Sequence, residues 1–207
     1  TMTEFEGKRV FVTGSGAGIG KAISKMFIER GARVVVSDID EGAAAKAAEE
    51  IGAAGIANCD VTDEGQVQAA VAQAVEVLGG LDIVVNNAGI ARSNPVKGLT
   101  LEEWDRILSV NATGTFLCTR AFLGGMIERG WGRVINVASV AGLQGGPYMA
   151  AYSASKHAQV GFTRALAAEV ADQGVTANAI CPGYVDTAMA DYAVTRIVGK
   201  TGLSYEE

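Results

Sequence analysis

The chain has 207 residues, 49% of them hydrophobic and 19% charged, enough for one well-buried domain. A net charge of -6 argues against a nucleic-acid or anionic-membrane surface, both of which need clustered Lys and Arg, and leaves small molecules as the expected partners. Cys59, Cys118 and Cys181 are odd in number, widely spaced and without a CxxC pair, so no disulfide framework, zinc site or other metal is expected and a reducing cytoplasm fits.

From the N-terminus the pattern alternates. A short apolar run at Arg9–Val12 leads into a glycine-rich turn at Thr13–Gly20, then a helical period through Ala22, Ile23, Met26 and Phe27 that ends near Gly31. A valine-rich strand, Arg33–Ser37, precedes an alanine-rich helix from Glu41 to about Ile51. The unit repeats as strand Ile56–Cys59, helix Glu64–Leu78 and strand Asp82–Val85. One long helix is expected over Leu101–Glu128, then strand Arg133–Val137, helix Ala151–Val170 and strand Thr176–Ile180, with Pro182-Gly183 opening a loop. Continuously apolar strands alternating with helices predict an α/β fold: a doubly wound, mainly parallel sheet flanked by helices on both faces, of Rossmann type, in a single domain.

The turn Thr13-Gly14-Ser15-Gly16-Ala17-Gly18-Ile19-Gly20 follows the first strand and opens the first helix, where glycines let backbone approach a pyrophosphate and the helix N-terminus faces the phosphates. Asp38, at the end of the second strand, stands where a carboxylate binds the adenosine ribose hydroxyls of NAD and repels the 2′-phosphate of NADP. Capping the helix that begins near Glu41 is the alternative role for Asp38. The segment Ser139–Lys156 brings together a hydroxyl, a phenol and an amine. On a helix, Tyr152 and Lys156 lie four apart on one face. An ammonium about 4 Å from the phenol would favour the phenolate by roughly 4 kcal/mol, or about three pKa units below the ordinary value near 10. Tyr152 could then exchange a proton near neutral pH; packing of Tyr152 with a solvated Lys156 is the other reading.

Thr13–Gly20, Asp60-Val61, Asn86-Asn87-Ala88-Gly89, Asn111, Ser139, Tyr152-x-x-x-Lys156 and Pro182-Gly183 occur in this order, and with them the chain resembles the short-chain dehydrogenase/reductase family from residue 8 to about 190. The resemblance implies Tyr152 as general acid/base, Lys156 lowering its pKa and holding the nicotinamide ribose, Ser139 bonding the substrate oxygen, and Asn111 anchoring a relay water by distorting its helix. It implies cofactor binding by Gly14, Ser15, Gly18, Ile19, Gly20, Asp38, Asp60, Val61, Asn87, Gly89, Tyr152, Lys156, Pro182, Gly183, Val185 and Thr187. His157, beside Lys156, must point away from the Tyr152 face and is read as structural. The implied activity is NAD-dependent interconversion of a secondary alcohol, such as a 3-hydroxyacyl or small alicyclic alcohol, and a ketone. A 3-oxoacyl thioester reductase is the rival of the same class, and a non-catalytic NAD-binding regulator the rival of another.

Family members continue several dozen residues past the point matching Glu207, so the single domain spanning 1–207 is expected to have its last helix and strand outside this sequence. Met2 reads as the natural start, with neither a signal peptide after it nor an apolar run long enough to span a bilayer. A homo-oligomer, tetramer or dimer, is implied. Leu143, Gln144, Tyr148 and Met149, with Tyr184, Met189 and Tyr192, suggest a mainly apolar substrate pocket; Arg92 and Arg196 are the cations expected within reach of a phosphorylated substrate.

Overall fold

The computed structural model describes residues 4–183 and 185. Six parallel strands carry the fold: β1 (Arg9–Thr13), β2 (Arg33–Asp38), β3 (Gly55–Asn58), β4 (Ile83–Asn86), β5 (Gly132–Val137) and β6 (Val175–Ile180). Their spatial order is β3-β2-β1-β4-β5-β6, so the winding reverses between β1 and β4 and opens a crevice at their carboxyl ends. The helices are α1 (Gly18–Glu29), α2 (Glu41–Ile51), α3 (Glu64–Leu78), α4 (Leu101–Leu108), α5 (Gly114–Glu128) and α6 (Ala150–Glu169).

Both faces of the sheet are apolar because both are covered. Phe11, Val35, Ala57, Val84 and Val134 pack on one side against α3, α5 and α6, where the Phe11 and Phe122 rings lie 4.9 Å apart. Val10, Val12, Val34, Ile83 and Val85 face the other way onto Phe27, Ile23 and Ile19 of α1, while Val36 meets Ala44 and Ala47 of α2. Alternate residues of each strand thus serve opposite layers, which is why every position reads as hydrophobic. Helix starts are marked locally: Asp40 and Asp63 accept from the N–H groups of Ala43 and Gln66, and Thr100 forms a capping box with Glu103.

The long helix expected over Leu101–Glu128 is instead three pieces. Between α4 and α5 a π-turn, Ser109–Thr113, widens the coil at Asn111. The cause is a side chain pulled sideways: Asn111 Oδ1 accepts from the Ile90 N–H at 2.8 Å, while its Nδ2 donates to the Ile90 carbonyl and to Ser155 Oγ, each at 2.9 Å. A one-residue bulge lets the helix make these bonds without breaking, the usual context of a π-turn.

Candidate active site

The crevice between β1 and β4 is a groove of about 400 Å³ that runs from Asp38 and Ile39, past Gly14 and Gly18, to Tyr152 and Lys156. Gly14 closes β1 at φ +59°, and a Cβ there would stand 2.8 Å from Ala88 Cα; only glycine permits both the left-handed turn and the approach of the β4 loop. Thr13 locks that approach. Its Oγ1 accepts from the N–H groups of Asn87 and Ala88, both at 3.0 Å, while the Asn87 amide donates to the carbonyls of Thr13 and Gly14 at 3.0 and 2.9 Å.

Asp38 faces the groove. One carboxylate oxygen accepts from the Gly16 N–H at 3.0 Å and the other from the Asp40 N–H at 3.1 Å. Asp40 is the residue that caps α2, so the capping alternative for Asp38 is not the one adopted. Asp60 and Val61 line the same stretch, and Asp60 also organises its own turn by accepting from Thr62 N–H and Oγ–H at 2.9 and 2.7 Å.

At the other end, Ser139 stands just past β5 with its Oγ accepting from the Ala141 N–H at 3.1 Å, and its hydroxyl lies near enough to the Tyr152 phenol to act on its pKa. Tyr152 occupies the first turn of α6 and Lys156 the next turn. Burial pushes the Tyr152 phenol up from its ordinary value, and the Ser139 hydroxyl pulls against it. Lys156 is only 4% exposed, and burial pushes its ammonium down to about 8. The close amine–phenol contact expected from the four-residue spacing is looser in the structure: Nζ lies 5.7 Å from the Tyr152 ring centroid and donates to the Val137 carbonyl at 2.9 Å and to Gln159 Oε1 at 2.8 Å. The large depression of the phenol's pKa expected from Lys156 is therefore not produced by this geometry, in which desolvation dominates.

Several expected cofactor contacts lie elsewhere. Ser15 is fully buried, its hydroxyl donating to the Val12 carbonyl at 2.6 Å and accepting from the Ser37 N–H at 2.9 Å, so its side chain ties β1 to β2 instead of reaching the groove. Gly20 is buried beneath the turn; a Cβ there would meet Asn87 Nδ2 at 2.5 Å, so its task is close helix–strand packing. Asn111 is fully buried and outside the groove lining, its side-chain amide taken up by Ile90 and Ser155. Pro182 is drawn to the strand-end loop by the Val140 N–H, which donates to its carbonyl at 2.9 Å; Gly183 and Val185 are exposed beside it, outside the groove lining. Tyr184, Thr187, Met189, Tyr192 and Arg196 lie outside the described residues. His157 is exposed and pairs through Nδ1 with the Ser153 carbonyl at 2.9 Å, away from the phenol. Residues that sequence reasoning passed over include Thr62, Ile90, Arg106 and Val110 around the groove, and Gln159 behind it. The apolar ones carry no chemical signal; Gln159 does, as an amide at an interior position of α6.

The short chain dehydrogenase family model matches residues 8–197. The chain belongs to the short-chain dehydrogenase/reductase family, and it is an oxidoreductase acting on CH–OH groups. It is 44% identical over 180 residues to 2-(S)-hydroxypropyl-CoM dehydrogenase 3 of Xanthobacter autotrophicus, covering 85% of this chain and 71% of that protein. It is 41% identical over 207 residues to D-beta-hydroxybutyrate dehydrogenase of Cupriavidus necator, covering 97% and 80%. Among solved structures, a variant of actinorhodin polyketide ketoreductase with NADPH superposes with a TM-score of 0.91 at 40% identity, over 96% of this chain and 78% of that one.

The family binds a nicotinamide cofactor, and the residues present fit one. The glycine turn leaves a cradle that side chains would fill: a Cβ on Gly16 would stand 3.0 Å from Asp38 Oδ2. A carboxylate stands at the end suited to a ribose, and the phenol and buried amine at the end suited to hydride chemistry. Among the described residues there is no cluster of metal-ligating side chains, and no helix is long and apolar enough to cross a membrane.

Proposed function

We propose that the protein is an NAD-dependent dehydrogenase that interconverts a secondary alcohol and a ketone. The observation that carries this reading is one groove with Asp38 at one end and Tyr152 and Lys156 at the other, with the Ser139 hydroxyl beside Tyr152. Gly14, Gly18, Ile19, Asp60, Val61, Asn87 and Gly89, all in the groove wall, would hold the dinucleotide, with Asp38 taking the adenosine ribose hydroxyls. When bound, the nicotinamide supplies the hydride acceptor.

The remaining work falls to side chains. Ser139 holds the substrate oxygen and orients it toward the phenol. Tyr152 takes the hydroxyl proton in oxidation and returns it in reduction; the positive end of α6, in whose first turn it sits, favours the phenolate. Lys156 adds positive charge behind it, and the Asn111 backbone in the π-turn supports a relay to solvent. A 3-oxoacyl thioester reductase is the second reading, favoured by the likeness to a ketoreductase holding NADPH.

Three free cysteines support a reducing cytoplasm; burial lifts the Cys59 thiol to about 11 and raises that of Cys118 as well. Assembly into a homo-oligomer, tetramer or dimer, is supported by Phe116, which is 41% exposed on α5 and stacked edge-on against Phe162 of α6.

The test is absorbance of reduced nicotinamide across a panel of 3-hydroxyacyl and alicyclic alcohols, with NAD and with NADP. NAD-dependent turnover that disappears in Tyr152→Phe while NAD still binds is the expected result. A protein active only with NADPH on oxoacyl thioesters, or a Tyr152→Phe variant of undiminished rate, would overturn it.

A further inference from the structure

Lys156 is gripped from behind by an amide that the glycine turn, Asp38 and the Ser139–Tyr152 pair leave unexplained. Gln159 is 1% exposed, one turn along α6, and its Oε1 accepts from Lys156 Nζ at 2.8 Å. The orientation of this amide is dictated by its far end. Thr115 Oγ1 donates its single proton to the Asn111 carbonyl at 2.8 Å, so toward Gln159 it can only accept, and it does so from Nε2 at 2.7 Å. The NH₂ end of Gln159 must therefore face Thr115, and the carbonyl end must face Lys156.

An ammonium has three protons. The Val137 carbonyl takes one at 2.9 Å and Gln159 a second, which leaves one directed toward the groove, on whose wall Lys156 lies. Gly89 faces the amine from the β4 loop, where a Cβ would stand in ordinary contact 3.5 Å from Nζ. The titratable groups facing Lys156 are Tyr152 on its own helix and Cys181 beyond β6. From β5, the Asn87–Gly89 segment and α5 it meets a carbonyl, a glycine and the Gln159–Thr115 pair, all uncharged.

We propose that Gln159 is a positioning residue for proton transfer: held by Thr115, it fixes Lys156 so that one N–H points into the groove, and it stabilises the charged form of the amine. No carboxylate bonds this lysine among the described residues, so two neutral carbonyls carry the charge inside a desolvated pocket. Loss of one leaves the ammonium undersatisfied where that costs most. The inference rests on the dehydrogenase reading for its catalytic consequence, but the charge state of Lys156 can be read without turnover.

The experiment compares the wild type with Gln159→Met, which keeps the length of the side chain and removes the acceptor. Lysines labelled with carbon-13 at Cε are titrated by NMR, the Lys156 signal being assigned by its absence in Lys156→Met. In Gln159→Met the Lys156 midpoint should fall by about one pH unit, the scale of one lost hydrogen bond to a charged group. The kcat for alcohol oxidation should drop about fivefold near pH 8, where the amine passes from about half to about a tenth charged, with its rising limb displaced to higher pH because the neutral amine no longer assists the phenolate, while the alcohol KM stays within about twofold. A folded Gln159→Met with the wild-type midpoint overturns the proposal. If that variant does not fold, Thr115→Val, which frees the amide to turn, should move the midpoint the same way by a smaller amount, and an unmoved midpoint is equally fatal. Absence of any alcohol oxidation by the wild type would instead remove the dehydrogenase reading and leave the Lys156 titration to judge this one.

Discussion

Asp38 does two jobs with one carboxylate. It accepts from the Gly16 N–H, which pins the glycine turn, and it faces the groove, where in the proposed NAD-dependent reading it would meet the adenosine ribose and oppose a 2′-phosphate. Like charges about 4 Å apart repel by about 1 kcal/mol in water and about 4 kcal/mol near a protein surface. Asp38→Ala should therefore raise kcat/KM for NADP by about tenfold or more, and lower it for NAD because the turn loses its acceptor. Initial rates with both cofactors decide it; an unchanged ratio would show that Asp38 does not face the ribose. The Tyr152 phenol belongs to the same scale. Its pKa is raised by burial, and the phenolate is the form that accepts the proton, so alcohol oxidation should climb as pH rises toward that value and ketone reduction, which needs the phenol, should decline across the same range. A pH profile of kcat in both directions checks the opposite slopes.

At the level of whole elements, one ion pair couples β1, β4 and α3. Asp82 accepts from the Arg9 backbone N–H at 3.0 Å, from Nε at 2.9 Å and from Nη2 at 2.6 Å, while Arg9 Nη1 donates to the Gly79 carbonyl that ends α3 at 2.7 Å. Burial pushes the Asp82 carboxyl up, but these bonds outweigh it and hold the group below its ordinary value. A depressed carboxyl stabilises the fold fully above its unfolded pKa and loses that contribution as pH falls toward the folded one. Arg9→Met, which leaves a nearly buried carboxylate without its partner, should cost about 2 kcal/mol at neutral pH, and the gap from wild type should shrink in acid as Asp82 protonates. Urea unfolding at neutral and acid pH measures both; a gap that does not narrow would mean that Asp82 is not its source. Much of this architecture was legible in the sequence, because continuous valines at Arg33–Ser37 and a glycine turn after Arg9–Val12 report burial and backbone directly. The π-turn was not: Leu101–Glu128 has an unbroken helical period, and the bulge comes from contacts of Asn111 with Ile90 and Ser155, which are distant in sequence. For the same reason the spacing of Tyr152 and Lys156 identified one helix face but not the competing acceptors on Val137 and Gln159 that draw the amine aside.

For the molecule as a whole, the balance is between an acidic surface that resists association and an apolar face that invites it. The chain carries a net charge of -6, so copies repel one another unless contact buries enough apolar area to offset that. Phe116 and Phe162 offer such area across α5 and α6: the rings meet edge-on at 6.2 Å, and the Arg120 guanidinium lies 4.8 Å from the Phe116 ring. The described lining of the groove runs from Gly14 to Lys156 of this chain. Replacing Phe116 by Glu places a carboxylate one turn before Arg120, an arrangement that supports the helix by about 0.3 kcal/mol while making the face hydrophilic. Phe116→Glu should therefore sediment as a smaller species than the wild type, keep its helical circular dichroism and still bind NAD. A wild type that sediments as a monomer would remove the homo-oligomer, and a variant that dissociates and loses NAD binding together would show that the groove depends on its neighbour.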